Sequence, residues 1–347
     1  MPGLTTLPPF PESVPTHPLL VIDYQLLRVH DKDEIAKLWK AATELGFWYL
    51  KNHGVDEEVD KMFEMGAETM ALLFDEKMNY KARGATVTDE TGTLDNAEFL
   101  NIAKDDAFAW PAVARRTYPL TVNARMDNTV VPFIRKSVEV NNKLLDIFNE
   151  LLGLPDGSLA EKHKLEEFSG SEARVIRTPP RPDGIDEAKA ALAAHTDFGS
   201  LSFLHNRLGG LQVMVPGTDK WQYVKPIPGH AICNLGDAMT IFSGGLLKSN
   251  LHRVVPPPGE QARSTRWSLV YFTRPGNSVV LRALADESPL VAEAVKNAPG
   301  HLRSIFESGQ TSQEWFTRRV KNMRTNNQKG ADVWRASRGT EHQPLAA

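Results

Sequence analysis

The chain is short of most features that would place it outside a reducing, aqueous setting. It has one cysteine, Cys233, so no internal disulfide can form, and a cytoplasmic location is the simplest expectation. No window approaches the roughly 20 consecutive apolar residues that a membrane-spanning helix needs. The opening stretch, MPGLTTLPPFPESVP, lacks the basic and apolar blocks of a secretory signal. Neither sign of charge dominates: 40 Lys and Arg against 43 Asp and Glu leave a formal charge of −3, which gives no footprint for a nucleic acid. Internal repeats are also missing. What remains is 41% hydrophobic and 24% charged over 347 residues, enough for one large core or two modest ones. The expected partner is a small molecule, with no nucleic acid and no membrane, and the expected state is a monomer or weak homo-oligomer.

The pattern changes along the chain. After a proline-rich start, LLVID reads as a strand, and Asp31 and Asp33 open a helix carrying Ile35, Leu38, Trp39, Ala42 and Leu45, stopped by Gly46. FWYLK at 47–51 reads as a second strand and 56–73 as a second helix. Residues 75–130 carry no clear period. From Pro132 to Leu152, the residues Ile134, Val138, Asn141, Leu145, Phe148 and Leu152 fall on one helical face, with Asn141 its only polar member. Beyond Ala173 short β-type runs follow one another: RVIR, LSFL, LQVMV, WQYVKPI, HAICNL, MTIF, HRVV and WSLVYFT. Many short strands separated by turn residues predict an antiparallel sandwich or barrel. Helix returns after Pro275, where Thr311 and Glu314 have capping-box spacing. The expected division is a helical and strand N-terminal region at 1–150, a β core with a C-terminal helix at 151–330, and a polar tail at 331–347.

Ten histidines are present. His17, His30, His163, His301 and His342 lie in polar or terminal stretches and read as solvated. His53 sits in a turn, His205 begins one, and His230 follows a Pro-Gly pair. His195 and Asp197, in AAHTDFGSL, stand two apart, so on a strand they would share a face. His252 in LKSNLHRVV falls on a later strand that a barrel could bring beside them. Two histidines and one carboxylate form the facial set that holds Fe(II) and leaves positions open. Alone, an HxD pair is far more often a turn-capping Asp beside a surface His than a metal site. Arg266 and Ser268 in TRWSLVYF again stand two apart, and a guanidinium with a hydroxyl makes a cradle for a carboxylate. Val270 and Phe272 continue that face as an apolar wall.

In order, HTD, then HRVV, then RWS form a specific constellation that resembles the iron(II)/2-oxoglutarate-dependent dioxygenase superfamily, in its isopenicillin N synthase-like branch. LLVID and GFWYLKNHGV are similar to that branch's N-terminal region, FDEKM and AEFLNI to its middle, and NLGDAMTIFSGGLLKSNLHRV to the run before its third metal ligand. The resemblance implies a mainly β fold, a double-stranded β-helix (jelly-roll) core with flanking helices. It also implies Fe(II), 2-oxoglutarate as cosubstrate and O₂. It assigns His195, Asp197 and His252 to iron, with no catalytic residue beyond these ligands. Arg266 and Ser268 fall to the distal carboxylate of 2-oxoglutarate, and Phe272 to the substrate pocket.

One stretch departs from the family. An Asn and a Tyr commonly precede the Pro-Pro before the metal strand, but here RVIRTPP places Ile176 and Thr178 there. Thr178, or Arg177, is left to do the work of the usual tyrosine. The expected substrate is a lipophilic or aromatic specialised metabolite, from Phe272 and the aromatic residues around Phe99 and Phe108. The expected reaction is hydroxylation, with desaturation and ring rearrangement sharing its first step. Three other readings are open: an iron oxidase that works without 2-oxoglutarate, a zinc hydrolase, and a non-catalytic jelly-roll binding module.

Overall fold

The computed structural model describes residues 7–73, 76–77, 80–86, 88, 93–180 and 190–323. The expected polar tail, His342 and part of FDEKM lie outside these residues. The N-terminal half contains β1 (Val21–Asp23), α1 (Tyr24–Arg28), α2 (Lys32–Glu44), β2 (Phe47–Lys51) and α3 (Asp56–Ala71). There follow β3 (Tyr80–Lys81), β4 (Glu98–Ala103), α4 (Lys104–Ala109), α5 (Leu120–Asn123), α6 (Val131–Leu151) and α7 (Ser158–Glu161). The strand-rich half contains β5 (Glu172–Thr178), β6 (Leu192–His195), β7 (Leu201–Asn206), β8 (Leu211–Met214), β9 (Trp221–Tyr223) and β10 (His230–Leu235). After α8 (Asp237–Phe242) come β11 (His252–Val254) and β12 (Arg266–Thr273), then α9 (Pro289–Asn297), α10 (Gly300–Phe306) and α11 (Ser312–Met323).

Local chemistry explains the helices. Asp31 caps α2 by accepting from the Glu34 amide at 2.9 Å, and Ile35, Leu38, Ala41 and Ala42 form its buried stripe. Gly46 ends it at a positive φ of 79°, where a Cβ would stand 2.0 Å from the Lys248 carbonyl oxygen. On α6 the periodic face is buried apart from the half-buried Val138, and Asn141 donates through Nδ2 to Thr273 Oγ1 at 2.7 Å, which satisfies the amino end of its amide while Oδ1 has no partner among the described residues. The capping box of α11 forms in both directions, Thr311 N to Glu314 Oε2 at 2.9 Å and Glu314 N to Thr311 Oγ1 at 3.2 Å.

The strands make two sheets. One has eight strands in the order β1-β2-β10-β7-β12-β5-β4-β3, the other four in the order β6-β11-β8-β9. The N-terminal strands are part of the large sheet: β2 pairs with β10 and β4 with β5, both antiparallel. Side-chain alternation divides that sheet between two environments. Val175, Phe203, Leu269 and Tyr271 belong to the main core with α3 and α6, where Gly66 lets α3 approach Val175. Ile176, Leu204, Val270 and Phe272 face the other way and meet Leu192 of the small sheet. This two-sheet jelly roll with flanking helices is the mainly β fold expected from the sequence.

Several expectations need correction. MTIF is not a strand: it lies in α8, a short, wholly buried helix, and a brief apolar run does not distinguish the two. His205 does not begin a turn but sits buried in β7, and His53 is buried beside it with ring centroids 5.4 Å apart. His163 is not solvated, since its ring nitrogens bond to the Leu159 carbonyl and the Ser200 hydroxyl at 2.7 and 2.6 Å.

Candidate active site

His195 is the last residue of β6 and His252 the first of β11, and the two are direct antiparallel partners. Asp197 lies past the strand end, in the loop that follows, so loop geometry rather than strand alternation brings it round. Asp197 Oδ1 is 3.8 Å from His195 Nε2 and 3.7 Å from His252 Nε2. One donor atom from each residue lies within 4.8 Å of the others.

The surroundings orient these donors. His195 Nδ1 lies 2.7 Å from the Ala193 carbonyl and His252 Nδ1 3.2 Å from the Asn250 carbonyl, which puts the proton on Nδ1 and the lone pair on Nε2. Asp197 Oδ2 accepts from Ser202 Oγ at 2.5 Å and Asn234 Nδ2 at 2.7 Å, so Oδ1 is the oxygen turned to the imidazoles. Burial pushes this carboxyl up, but His252 and His195, with Asn234 and Ser202, outweigh it and hold it at about 2. The loop is fastened from behind. The amides of Asp237 and Ala238 donate to the carbonyls of Asp197 and Gly199 at 2.8 and 3.0 Å. Only glycine fits at 236, where a Cβ would come 2.3 Å from the Gly199 oxygen. From α11, the buried Arg319 bonds the Asp237 carboxylate and the Thr196 carbonyl.

Across the inner face stands a second polar group. Arg266, 2% exposed, donates through Nε to the Gly209 carbonyl at 2.7 Å and through Nη1 to Ser268 Oγ at 2.6 Å. In the orientation that satisfies its neighbours, the Asn206 amide donates to Ser268 Oγ at 2.6 Å and accepts from Arg266 Nη2 at 3.2 Å. No carboxylate pairs with Arg266 among the described residues, and burial pushes its guanidinium down to about 10. Thr178 is the direct partner of Arg266 across the strand pair, and its buried hydroxyl has no partner among the described residues. Arg177 faces the opposite side, where it is held by Glu98 and the Met70 carbonyl. Of these two residues, Thr178 is therefore the one beside Arg266.

Phe99 and Phe272 lie on the same inner face, with Ile176, Val270 and Leu204. Phe108, expected nearby, packs against the main core instead. Sequence reading missed Asn206, Ser202 and Asn234. Their signal is a polar residue at an inward phase of an apolar strand, which is visible only once the strand register is known.

Fold and side-chain cluster together define a class: a jelly roll with a two-histidine, one-carboxylate set between its sheets. A family model described as the 2OG-Fe(II) oxygenase superfamily matches residues 170–275, and one described as non-haem dioxygenase in morphine synthesis N-terminal matches residues 19–116. The chain is 27% identical to a 2-oxoglutarate-dependent dioxygenase of Aspergillus fumigatus, over 90% of this chain and 88% of that one. It is 42% identical to a 2-oxoglutarate-dependent dioxygenase of Amanita muscaria, over 41% of this chain and 69% of the relative. Among solved structures, a full-length Neurospora crassa protein in complex with alpha-KG aligns with a TM-score of 0.69 at 20% identity, covering 87% of this chain and 95% of that one. JOX2 in complex with 2OG, Fe and JA aligns with 0.65 at 23%, covering 97% and 95%. The chain belongs to the 2OG-Fe(II) oxygenase superfamily and is a 2-oxoglutarate-dependent dioxygenase, with iron and 2-oxoglutarate as cofactor and cosubstrate. The residues present fit both groups: two imidazole nitrogens and a carboxylate oxygen suit Fe(II), and a buried arginine without an acid, beside an orphaned hydroxyl, suits a carboxylate.

Proposed function

We propose that His195, Asp197 and His252 hold one iron, and that Arg266 with Ser268, Asn206 and Thr178 receives the distal carboxylate of 2-oxoglutarate. On this reading the catalytic unit is residues 151–330, with 1–150 supplying strands and helices around it. Phe99 and Phe272 wall the space for a small, partly apolar or aromatic specialised metabolite, and hydroxylation is the default outcome. The observation that carries the reading is Arg266, a buried cation with no carboxylate beside it among the described residues.

Iron with 2-oxoglutarate and O₂ supplies oxidation at an unactivated C–H bond. The chain's own residues supply placement. Ser202 and Asn234 fix the carboxylate so that one oxygen points to the metal position. The Ala193 and Asn250 carbonyls fix the imidazole tautomers. Ser268 and Asn206 hold the Arg266 fork in plane for a two-point contact. The apolar residues of the inner face exclude water from the space between the sheets. The test is succinate release from labelled 2-oxoglutarate with purified protein and Fe(II), together with iron content in His195→Ala. Stoichiometric iron retained without His195 would overturn the metal assignment. Substrate oxidation without succinate would overturn the role given to Arg266.

A further inference from the structure

The inner wall is not only apolar. It carries cations and aromatic rings in alternation, from β3 to α11. Lys81 Nζ lies 4.6 Å from the Phe99 ring centre. The Arg174 guanidinium lies 4.8 Å from Phe99 and 5.0 Å from Phe272. Arg274 lies 4.8 Å from Phe272 and 4.7 Å from Phe316. Register places Arg174 opposite Asn101 on one side and Val270 on the other, so it shares the inner face. Phe272 stands opposite Ser202, whose hydroxyl bonds Asp197. The ladder thus begins one cross-strand step from the metal cluster.

The charges do not cancel. Lys81 has Asp95, but Arg174 and Arg274 share one acid, Glu172, at 2.7 and 3.6 Å. A cleft of about 300 Å³ meets the ladder at Glu172 and Phe316 and adds Arg116 and Arg115 to its walls, the latter paired with Asp105 at 3.0 Å. Burial raises the Glu172 carboxyl, yet Arg174, Arg274 and Arg116 together hold it below its ordinary range. Arg174 donates through Nε to Asn101 at 2.6 Å and through Nη2 to Glu172 at 2.7 Å, while its Nη1 has no acceptor among the described residues. Its side chain keeps 22% exposure. A guanidinium clamped between two rings has its faces covered and its donors at the edge, a shape that matches a planar carboxylate. That edge is remote from the cosubstrate cradle: Arg174 and Thr178 are four positions apart on β5, about 13 Å along the strand.

We infer that the substrate carries a carboxylate which docks on the Nη edge of Arg174, and that Arg174 sets specificity for an acid over its neutral analogue. The inference rests on the reading of this face as the substrate wall. The test uses the protein loaded with Fe(II) and 2-oxoglutarate, kept anaerobic, and titrated with benzoate, phenylacetate and octanoate, each paired with its uncharged amide. Binding is read by ligand-observed NMR, with iron content and 2-oxoglutarate affinity measured on the same samples. At least one acid is expected to bind, with its amide at least tenfold weaker. Arg174→Met should weaken the acid by roughly ten- to hundredfold and leave the amide unchanged, and Arg174→Lys should recover part of the loss. Arg174→Gln, which can keep a bond to Glu172, serves where the methionine variant does not fold. Equal binding of acids and amides, no acid bound at millimolar concentration, or an acid preference that survives in Arg174→Met overturns the inference. Should the wild type bind neither iron nor 2-oxoglutarate, the underlying reading of the site falls first, and those two measurements tell the cases apart.

Discussion

Arg266 is buried beside a carbonyl, a hydroxyl and an amide, none of which carries charge. A buried cation without a counter-ion is costly to the fold, and a bound carboxylate relieves that cost. Arg266→Met should therefore leave the ligand-free protein as stable as the wild type or more so. The same change should weaken 2-oxoglutarate by roughly ten- to hundredfold, since a charge-assisted contact contributes about 1.5–3 kcal/mol. Melting curves with and without 2-oxoglutarate separate the two effects, and a ligand-induced shift that persists in the variant refutes the assignment. At Thr178 the hydroxyl has no partner to lose. Thr178→Val should cost less than about tenfold in 2-oxoglutarate affinity, because a neutral hydrogen bond contributes only about 0.5–1.5 kcal/mol. Ser268→Ala should cost more, because Ser268 Oγ ties Arg266 to Asn206, and the reverse order in paired titrations would sink this ranking. At this scale the sequence was most informative where spacing carried the chemistry. His195, Asp197, His252, Arg266 and Ser268 were legible from their spacing and motif. Asn206 and Arg174 were not, because their meaning depends on which strand lies beside them.

Among the elements, α11 and α8 act on the metal loop without contributing a ligand. Arg319 reaches from α11 to the Asp237 carboxylate and the Thr196 carbonyl, the residue between His195 and Asp197. Its guanidinium also lies 4.5 Å from the Phe198 ring, so the loop is gripped on both sides of Asp197. Removing one member of a fully buried ion pair leaves the other unpaired, which costs about 3–5 kcal/mol. Arg319→Met should be destabilised on that scale in urea unfolding, and Arg319→Met/Asp237→Asn by less than the sum of the two single changes. A merely structural role would stop there. A positioning role also requires faster loss of iron to a chelator from Arg319→Met under conditions where the variant is fully folded, and unchanged release would refute it. The capping box of α11 could be read from Thr311 and Glu314, but the target of Arg319 could not, because Asp237 is 82 residues away in the chain. Strand-like MTIF misled for a related reason. Every residue of α8 is buried, Asp237 and Thr240 included, so the helix has no solvent-facing stripe and MTIF alone is too short to show a helical period.

Across the whole molecule, β7, β8, β10 and β12 were legible as short β-type runs, because they are buried along nearly their whole length. The stretch 75–130 was not, since β3 has two residues and β4 gains its identity only by pairing, with β3 on one side and β5 on the other. How helices and sheets are tied together is likewise a property of the assembled fold, and His163 is one such tie. It lies just past α7 and bonds Leu159 on one side and Ser200, in the loop after Asp197, on the other. Burial pushes its imidazole down to about 4, against the upward pull of the Leu159 carbonyl. An unfolded chain takes up this proton near pH 6.5 and the folded one does not until about 4. The unfolded state therefore binds more protons in between, and stability present above pH 6.5 is lost as the pH falls toward 4. The full loss from this one group is on the order of 3 kcal/mol. His205, whose imidazole burial also lowers, titrates in the same direction, so the wild type alone does not isolate His163. A glutamine at 163 stays neutral throughout and can still bond Ser200. Urea unfolding of wild type and His163→Gln at pH 7 and at pH 4.5 should show a smaller acid-induced loss in the variant, by about 2–3 kcal/mol. Parallel losses in the two proteins would mean that His163 takes its proton without leaving the Ser200 hydroxyl, and that the tie between α7 and the metal loop survives acid.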